Sequence, residues 1–195
     1  VPTSGNSITT DVNGVATIGS WTLGATAGTN TLAATVSGLS GSPVAFTATG
    51  TAAAAATIAI NAGNAQTATA GTAVAVAPSV LVTDAGGNPV SGTSVTFAVA
   101  TGNGSISSPS GSVVVTNASG IASLSSWVLG TTAGSNSITA TSAGLTNSPL
   151  TFTATGTAGG AAQIALSAGN NQSATVGTAV ATDPAVIVRD VNNNP

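Results

Sequence analysis

One displacement of the sequence against itself constrains this chain more than any motif in it. Trp21 and Trp127, Phe46 and Phe152, Gln66 and Gln172, and Asp84 and Asp190 all stand 106 residues apart, with no gap needed. GSPVAFTATGTA at 41–52 returns as NSPLTFTATGTA at 147–158, and GTAVAVAPSVLVTD at 71–84 as GTAVATDPAVIVRD at 177–190. A fixed period means one folding unit used repeatedly. This period is too long for ankyrin, TPR or propeller-blade repeats and close to the ~100 residues of one small β-sandwich domain. It divides the chain into the C-terminal half of one repeat (1–52), a complete repeat (53–158) and the N-terminal part of a third (159–195). Val1 corresponds to Ser107 and Pro195 to Pro89, so head and tail together lack the counterpart of 90–106. The expectation is an excerpt from a longer array, with chain ends falling mid-domain, rather than subunits that complete one another by donating a strand.

Within one repeat the pattern is that of strands. The stretch VTDAGGNPVSGTSVTF, 82–97, reads as a strand, a Gly-Gly-Asn-Pro turn and a second strand, forming a hairpin with Val95, Phe97 and Val99 on alternate positions. Thr57–Ile60 alternates and opens the repeat. Val74 and Val76 predict a short strand ending at Pro78, with Asn61–Gly71 before it as turn, and Val80 and Val82 belong to an inner face. Further strands are predicted around Ile106, over 112–116, 136–141 and 150–155. Between 121 and 129 the apolar parity shifts from Ala122 and Leu124 to Trp127 and Leu129, which predicts a β-bulge at Ser125-Ser126, with its copy at Gly19-Ser20. Ala52–Ala56 has helical propensity, yet Gly159 and Gly160 replace Ala53 and Ala54 one period later, so this stretch is a linker. Roughly eight strands with frequent turns give an all-β chain of antiparallel sandwiches in a linear array.

Composition narrows the chemistry. The charged residues are Asp11, Asp84, Asp183, Asp190 and Arg189, 3% of the chain against roughly 25% in an ordinary globular domain. Lys, Glu, His, Cys, Met and Tyr are missing altogether. Without them the usual general bases, activated nucleophiles and Schiff-base formers are gone, and so are the preferred zinc and copper ligands. The chain is therefore not expected to be an enzyme, nor to have catalytic, cofactor-binding or metal sites. One arginine makes no phosphate-binding stripe, so nucleic acid is not an expected partner. A mean hydropathy of +0.47 comes from dispersed Ala and Val. No run approaches the ~18–20 apolar residues of a spanning helix, and VPTSGNSITT at the start does not read as a signal peptide.

Several residues invite a site and are better read as structure. Trp21 and Trp127 could stack sugars, but they share parity with Leu23 and Leu129 and read as core, as do Phe46, Phe97 and Phe152. Asp190, Asn192 and Asn194 match the first three ligand positions of an EF-hand loop. Pro195 stands where that loop needs glycine, no glutamate exists for its twelfth position, and the copy at Asp84, Gly86 and Asn88 loses a ligand. A turn whose Asp and Asn bond their own backbone explains both copies. Asp183 is the one acid that could add a ligand nearby, which is too little. Asn103, Asn117 and Asn171 head formal glycosylation sequons, expected by chance in so Asn- and Ser-rich a chain.

DAGGNPVSGTSVTF at 84–97, followed by NASGIASLSSWVLGTTAGSNSITATSAG at 117–144, resembles the group 1 bacterial Ig-like repeats of invasin/intimin-type surface proteins. At repeat level the resemblance covers the whole chain. It implies tandem Ig-like sandwiches on a bacterial surface, extracellular, serving as a stalk or fibre. Nothing here matches the terminal lectin-like domain or the outer-membrane barrel of such adhesins. The physical reading runs alongside. Sandwich edges are usually guarded by Lys and charge, and this chain has no Lys and few charges, so a nearly neutral Thr/Ser/Asn/Ala surface predicts self-association, head-to-tail and lateral, that is largely salt-independent. The expected function is a non-catalytic structural repeat of a fibre, stalk or filament. The alternative is a cell-adhesion module that binds surface glycans or a host or neighbour-cell protein.

Overall fold

The computed structural model describes residues 7–195, so the first six residues of the segment 1–52 lie outside it. Among the described residues there is no helix. Fourteen strands follow in order: β1 Gly28–Ala34, β2 Val44–Gly50, β3 Thr57–Ala62, β4 Gln66–Thr69, β5 Ser79–Thr83, β6 Ser94–Thr101 and β7 Ser105–Ser107. Then come β8 Val113–Val115, β9 Ile121–Ser123, β10 Ser126–Val128, β11 Gly134–Thr141, β12 Leu150–Thr157, β13 Gln163–Ala168 and β14 Ala185–Arg189.

Strands β3 to β12 build a central sandwich. One sheet runs β4-β12-β11-β6-β8, and the other runs β3-β5-β9 with the short pair β10-β7 beside it. Alternation explains why. In β12, Phe152, Ala154 and Gly156 are buried while Thr151, Thr153, Thr155 and Thr157 face out. Ile58, Val80, Val82 and Ala122 from one sheet meet Val95, Phe97, Ile138, Ala140 and Phe152 from the other. The Phe97 and Phe152 rings lie 6.5 Å apart at 44°, a tilted pair of the kind aromatic quadrupoles favour. Each Val, Ile or Phe side chain so withdrawn from water contributes about 1.5–3 kcal/mol. The sheets are antiparallel save for β4, which pairs with β12 in parallel.

The stretch 82–97 is not a hairpin. After the turn, Val90 N–H returns to the Val82 carbonyl at 3.0 Å and Thr83 bridges Pro89, but there the pairing ends. Gly92 N–H already bonds Thr116 O, and β6 enters the opposite sheet between β11 and β8. Val82 and Val95 therefore face each other across the core rather than lying side by side.

The strand expected at Val74–Val76 forms only at its start, where Val74 N–H bonds Trp127 O at 2.9 Å and Ala73 bridges Val128. Val76 has both backbone groups taken by Gln66, whose Oε1 accepts Val76 N–H at 2.8 Å and whose Nε2 donates to Val76 O at 2.8 Å. A backbone spent on a side chain cannot join a ladder. A full strand lies instead at Gln66–Thr69, within the segment read as turn, where small residues hid the alternation.

The parity shift near Trp127 is real, and it falls where β9, paired with β5, gives way to β10, paired with β7. Leu124 N–H bonds Pro78 O at 3.0 Å, and the next residue, Ser125, bonds Ser107 O at 2.8 Å. One edge of the chain joins β7 while the other still bonds 72–74, and Ala122, Leu124, Trp127 and Leu129 are all buried despite opposite parity. The copy expected at Gly19-Ser20 lies in a stretch without strands.

Outside the sandwich, β1 pairs only with β2 and β13 only with β14. Phe46, read as core, is 51% exposed, because no second sheet faces β1–β2 among the described residues. Trp21 is half-buried.

Candidate functional site

Asp84 and Asn88, which recur 106 residues on as Asp190 and Asn194, build two turns. At the first, the Asp84 carboxylate accepts Gly86 N–H and Asn88 N–H on Oδ1, at 2.9 and 2.8 Å. Its Oδ2 accepts Ala53 N–H at 2.9 Å and the Asn88 side-chain amide at 3.0 Å. Four donors on two oxygens satisfy an ionised carboxylate without any cation. Asp84 is 4% exposed. Bonding from the Asn88 amide first, then from Ala53 and Asn88 N–H, outweighs burial and lowers its pKa from 3.8 to about 2.

Asn88 then reaches out of the turn. Its Nδ2 donates to Ala25 O at 2.9 Å and its Oδ1 accepts Ala27 N–H at 2.8 Å. This amide offers a donor and an acceptor to one short loop as a neighbouring strand would, and every one of its polar atoms is paired.

The second turn repeats these bonds. Asp190 Oδ1 accepts Asn192 and Asn194 N–H, and Oδ2 accepts Gly159 N–H at 2.8 Å and the Asn194 amide at 2.9 Å. Asn194 Nδ2 donates to Thr131 O at 2.9 Å, and Asn194 Oδ1 accepts Ala133 N–H at 2.7 Å. The Asp190 carboxyl is likewise lowered to about 2, chiefly by the Asn194 side chain and then by Gly159 N–H.

Asp and Asn thus do bond their own backbone, as the sequence predicts. What sequence reasoning missed is the reach to Ala25, Ala27 and Ala53 and to their counterparts. A signal was present: Asp and Asn recur at 84/190 and 88/194 while the three residues between them change. Asp11 and Asn117 show the contrast, also 106 apart. Asp11 Oδ1 accepts Asn13 and Val15 N–H at 2.8 Å, and Asn117 Oδ1 accepts Ser119 and Ile121 N–H at 2.9 and 3.1 Å. Where a side chain only accepts on one oxygen, Asp and Asn interchange.

The remaining candidates are scattered. Trp127, Phe97 and Phe152 are core, and Trp127 Nε1–H finds no acceptor among the described residues. Asn103 and Asn171 sit in turns at positive φ, and Asp183 is on an exposed loop. Among the described residues no three His, Cys, Asp or Glu side chains cluster. A surface cleft of 320 Å³, lined by Gly102, Asn103 and 131–135, holds no titratable side chain. What these residues do chemically is position backbone.

No protein-family model matches the chain, and no curated protein does. Solved structures do. Surface layer protein SbsC, over domains 4–9, is 20% identical with a TM-score of 0.40, covering 86% of this chain and 25% of that one. A Parabacteroides merdae β-glucuronidase is 16% identical with a TM-score of 0.37, covering 56% of this chain and 14% of that one. The Escherichia coli adhesin FdeC is 18% identical with a TM-score of 0.53, covering 87% of this chain. The chain spans 52% of that FdeC chain and shares its fold.

Proposed function

We propose that the chain is a non-catalytic structural module of an extracellular bacterial surface fibre, stalk or filament, built of successive repeats at 1–52, 53–158 and 159–195. The observation that carries this reading is the duplicated turn. At 84–88 and again at 190–194 the same hydrogen bonds tie one repeat period to the next, which is how a linear array is built and how length scales with repeat number. The fold shared with a bacterial adhesin supports a surface location. Among the described residues, the side chains of Asp84, Asn88, Asp190 and Asn194 are spent on backbone and on one another.

Copies of the chain are its proposed partners. The outer face of the larger sheet presents Thr67, Thr69, Thr151, Thr153, Thr155 and Thr157 with no charge among them, so nothing there repels a second copy. Light scattering on the chain over rising concentration, from low to high salt, tests this. Growth in particle size that is indifferent to salt is expected, and monodisperse monomers throughout would overturn self-association. A second reading, adhesion to surface glycans or to a host or neighbour-cell protein, is favoured by one observation, the fold shared with an adhesin. Binding on a glycan array that persists when assembly is prevented would favour it over the fibre.

A further inference from the structure

We propose that the Asp-x-x-x-Asn turn is an inter-repeat clasp: a receptor for the main chain of the preceding repeat that fixes how each repeat sits on the next and accepts any repeat before it. The inference rests on the division into repeats proposed above and adds what holds them in one orientation.

Three strands of argument support it. The first is connectivity. Asp84 holds the linker through Ala53 N–H, while Asn88 holds the loop 25–27 through both of its amide atoms. A joint tethered only through its linker would swing. One tethered at linker and loop, with the two anchors bonded to each other through Asp84 Oδ2 and Asn88 Nδ2, has its rotation and bend set together.

The second is residue chemistry. The carboxylate accepts from four donors, so replacing it by an amide would aim an N–H₂ group at other N–H groups. The amide at 88 must donate and accept at once, which neither Asp nor Ala can do. This explains why Asp and Asn recur here, whereas Asp11 and Asn117 exchange in a turn that needs only an acceptor. Position 86 does not require glycine. A Cβ there would meet Asn88 Nδ2 at 3.2 Å and Asp84 Oδ1 at 3.3 Å, and at the second turn Asn192 occupies the same position with the bonds intact.

The third is what is recognised. Every atom taken from the preceding repeat is main chain: Ala25 O and Ala27 N at one joint, Thr131 O and Ala133 N at the other. The first residue of the loop changes from Ala to Thr and the linker residue from Ala53 to Gly159, yet the bonds are kept. Recognition is indifferent to side chains. Repeats can drift in sequence or exchange places without loosening the joint.

The test uses the absence of cysteine. Thr49→Cys and Thr155→Cys, at equivalent outward positions of β2 and β12, carry spin labels across the first joint of the whole chain. Pulsed dipolar spectroscopy then reads the distance distribution. A single narrow distribution is expected for the parent and for Ala25→Thr, which copies the loop of the second joint. Asn88→Ala should broaden it several-fold. Ala27→Pro should do so too, since it removes the N–H that Asn88 accepts and lies outside the sandwich, so it decides the matter if Asn88→Ala fails to fold by Trp127 fluorescence. A distribution as narrow in Ala27→Pro as in the parent overturns the clasp, and broadening in Ala25→Thr overturns backbone-only recognition. Failure of self-association would instead count against the fibre and leave the joint untouched.

Discussion

The hairpins β1–β2 and β11–β12 have similar sequences and the same register, and the burial of their inner faces differs. Gly28 pairs with Gly50, and one period on Gly134 pairs with Gly156; Leu32 pairs with Phe46, and Ile138 with Phe152. Yet Phe46 is 51% exposed and Phe152 is 0%. Asn30 and Asn136 even place their amides alike, accepting from Gly24 and Gly130 N–H at 2.9 Å. Strand pairing is therefore written locally, in alternation and turn. Burial is not, because it requires β3, β5 and β9 to arrive from elsewhere in the chain. Only the second hairpin has them.

The largest expected effects break that likeness. Phe152→Ala and Trp127→Ala remove side chains from a closed core and should each cost about 3–5 kcal/mol in urea unfolding followed by far-UV circular dichroism. Phe46→Ala, the same substitution one period earlier, should stay within about 0.5 kcal/mol. Comparable losses at both positions would mean that Phe46 is buried in solution. Trp127→Phe sharpens the point. It deletes an indole N–H that has no acceptor among the described residues, and recovering that desolvation offsets part of the lost volume, so a cost of about 1–2 kcal/mol is expected.

The two joints form the next comparison, this time of regions expected to behave alike. Both carboxyls titrate at about 2 in the folded chain, below the ordinary 3.8. A depressed folded value means that the bonds contribute in full above pH 4 or so and are lost as pH falls through about 2. The spin-label distribution across the first joint should hold from neutral pH to about 4 and broaden between there and about 2. Asp84→Asn should leave it broad at every pH. A joint that loosens near neutrality, or one unmoved at the acid limit, would show that the carboxylate is not what holds it.

Much of this architecture was legible in the sequence, and the failures share a cause. The 106-residue period, the all-β character, the core roles of Trp127, Phe97 and Phe152 and the turn-forming role of Asp84 all follow from spacing and parity. The hairpin at 82–97 was misread because two alternating strands around a Gly-Gly-Asn-Pro turn look the same whether they pair or part. Only the partner of Gly92, Thr116, decides which. The strand at Val74–Val76 stops after Val74 because a side chain, Gln66, takes the Val76 backbone bonds that a ladder would use. The clasp was invisible for the same reason. Ala25 and Ala27 are recognised through atoms that every residue carries, so no residue type marks them.

The smallest expected effect concerns the faces on which the hairpins agree. Thr29, Thr31, Thr47 and Thr49 face out on the first hairpin, and Ser135, Thr151, Thr153 and Thr155 on the second. Because alternation alone sets these positions, Thr49→Lys and Thr155→Lys should each change stability by no more than about 0.5 kcal/mol, whichever hairpin carries them. Their effect on association should be larger than on folding. A lysine on a neutral sheet face costs desolvation whenever another copy covers it, and copies sharing the charge repel one another at low salt. Light scattering of Thr155→Lys should show smaller particles than the parent at equal concentration, with part of the difference returning as salt screens the charge. If particle size were unchanged at low salt, copies would meet elsewhere than on the Thr face of β12.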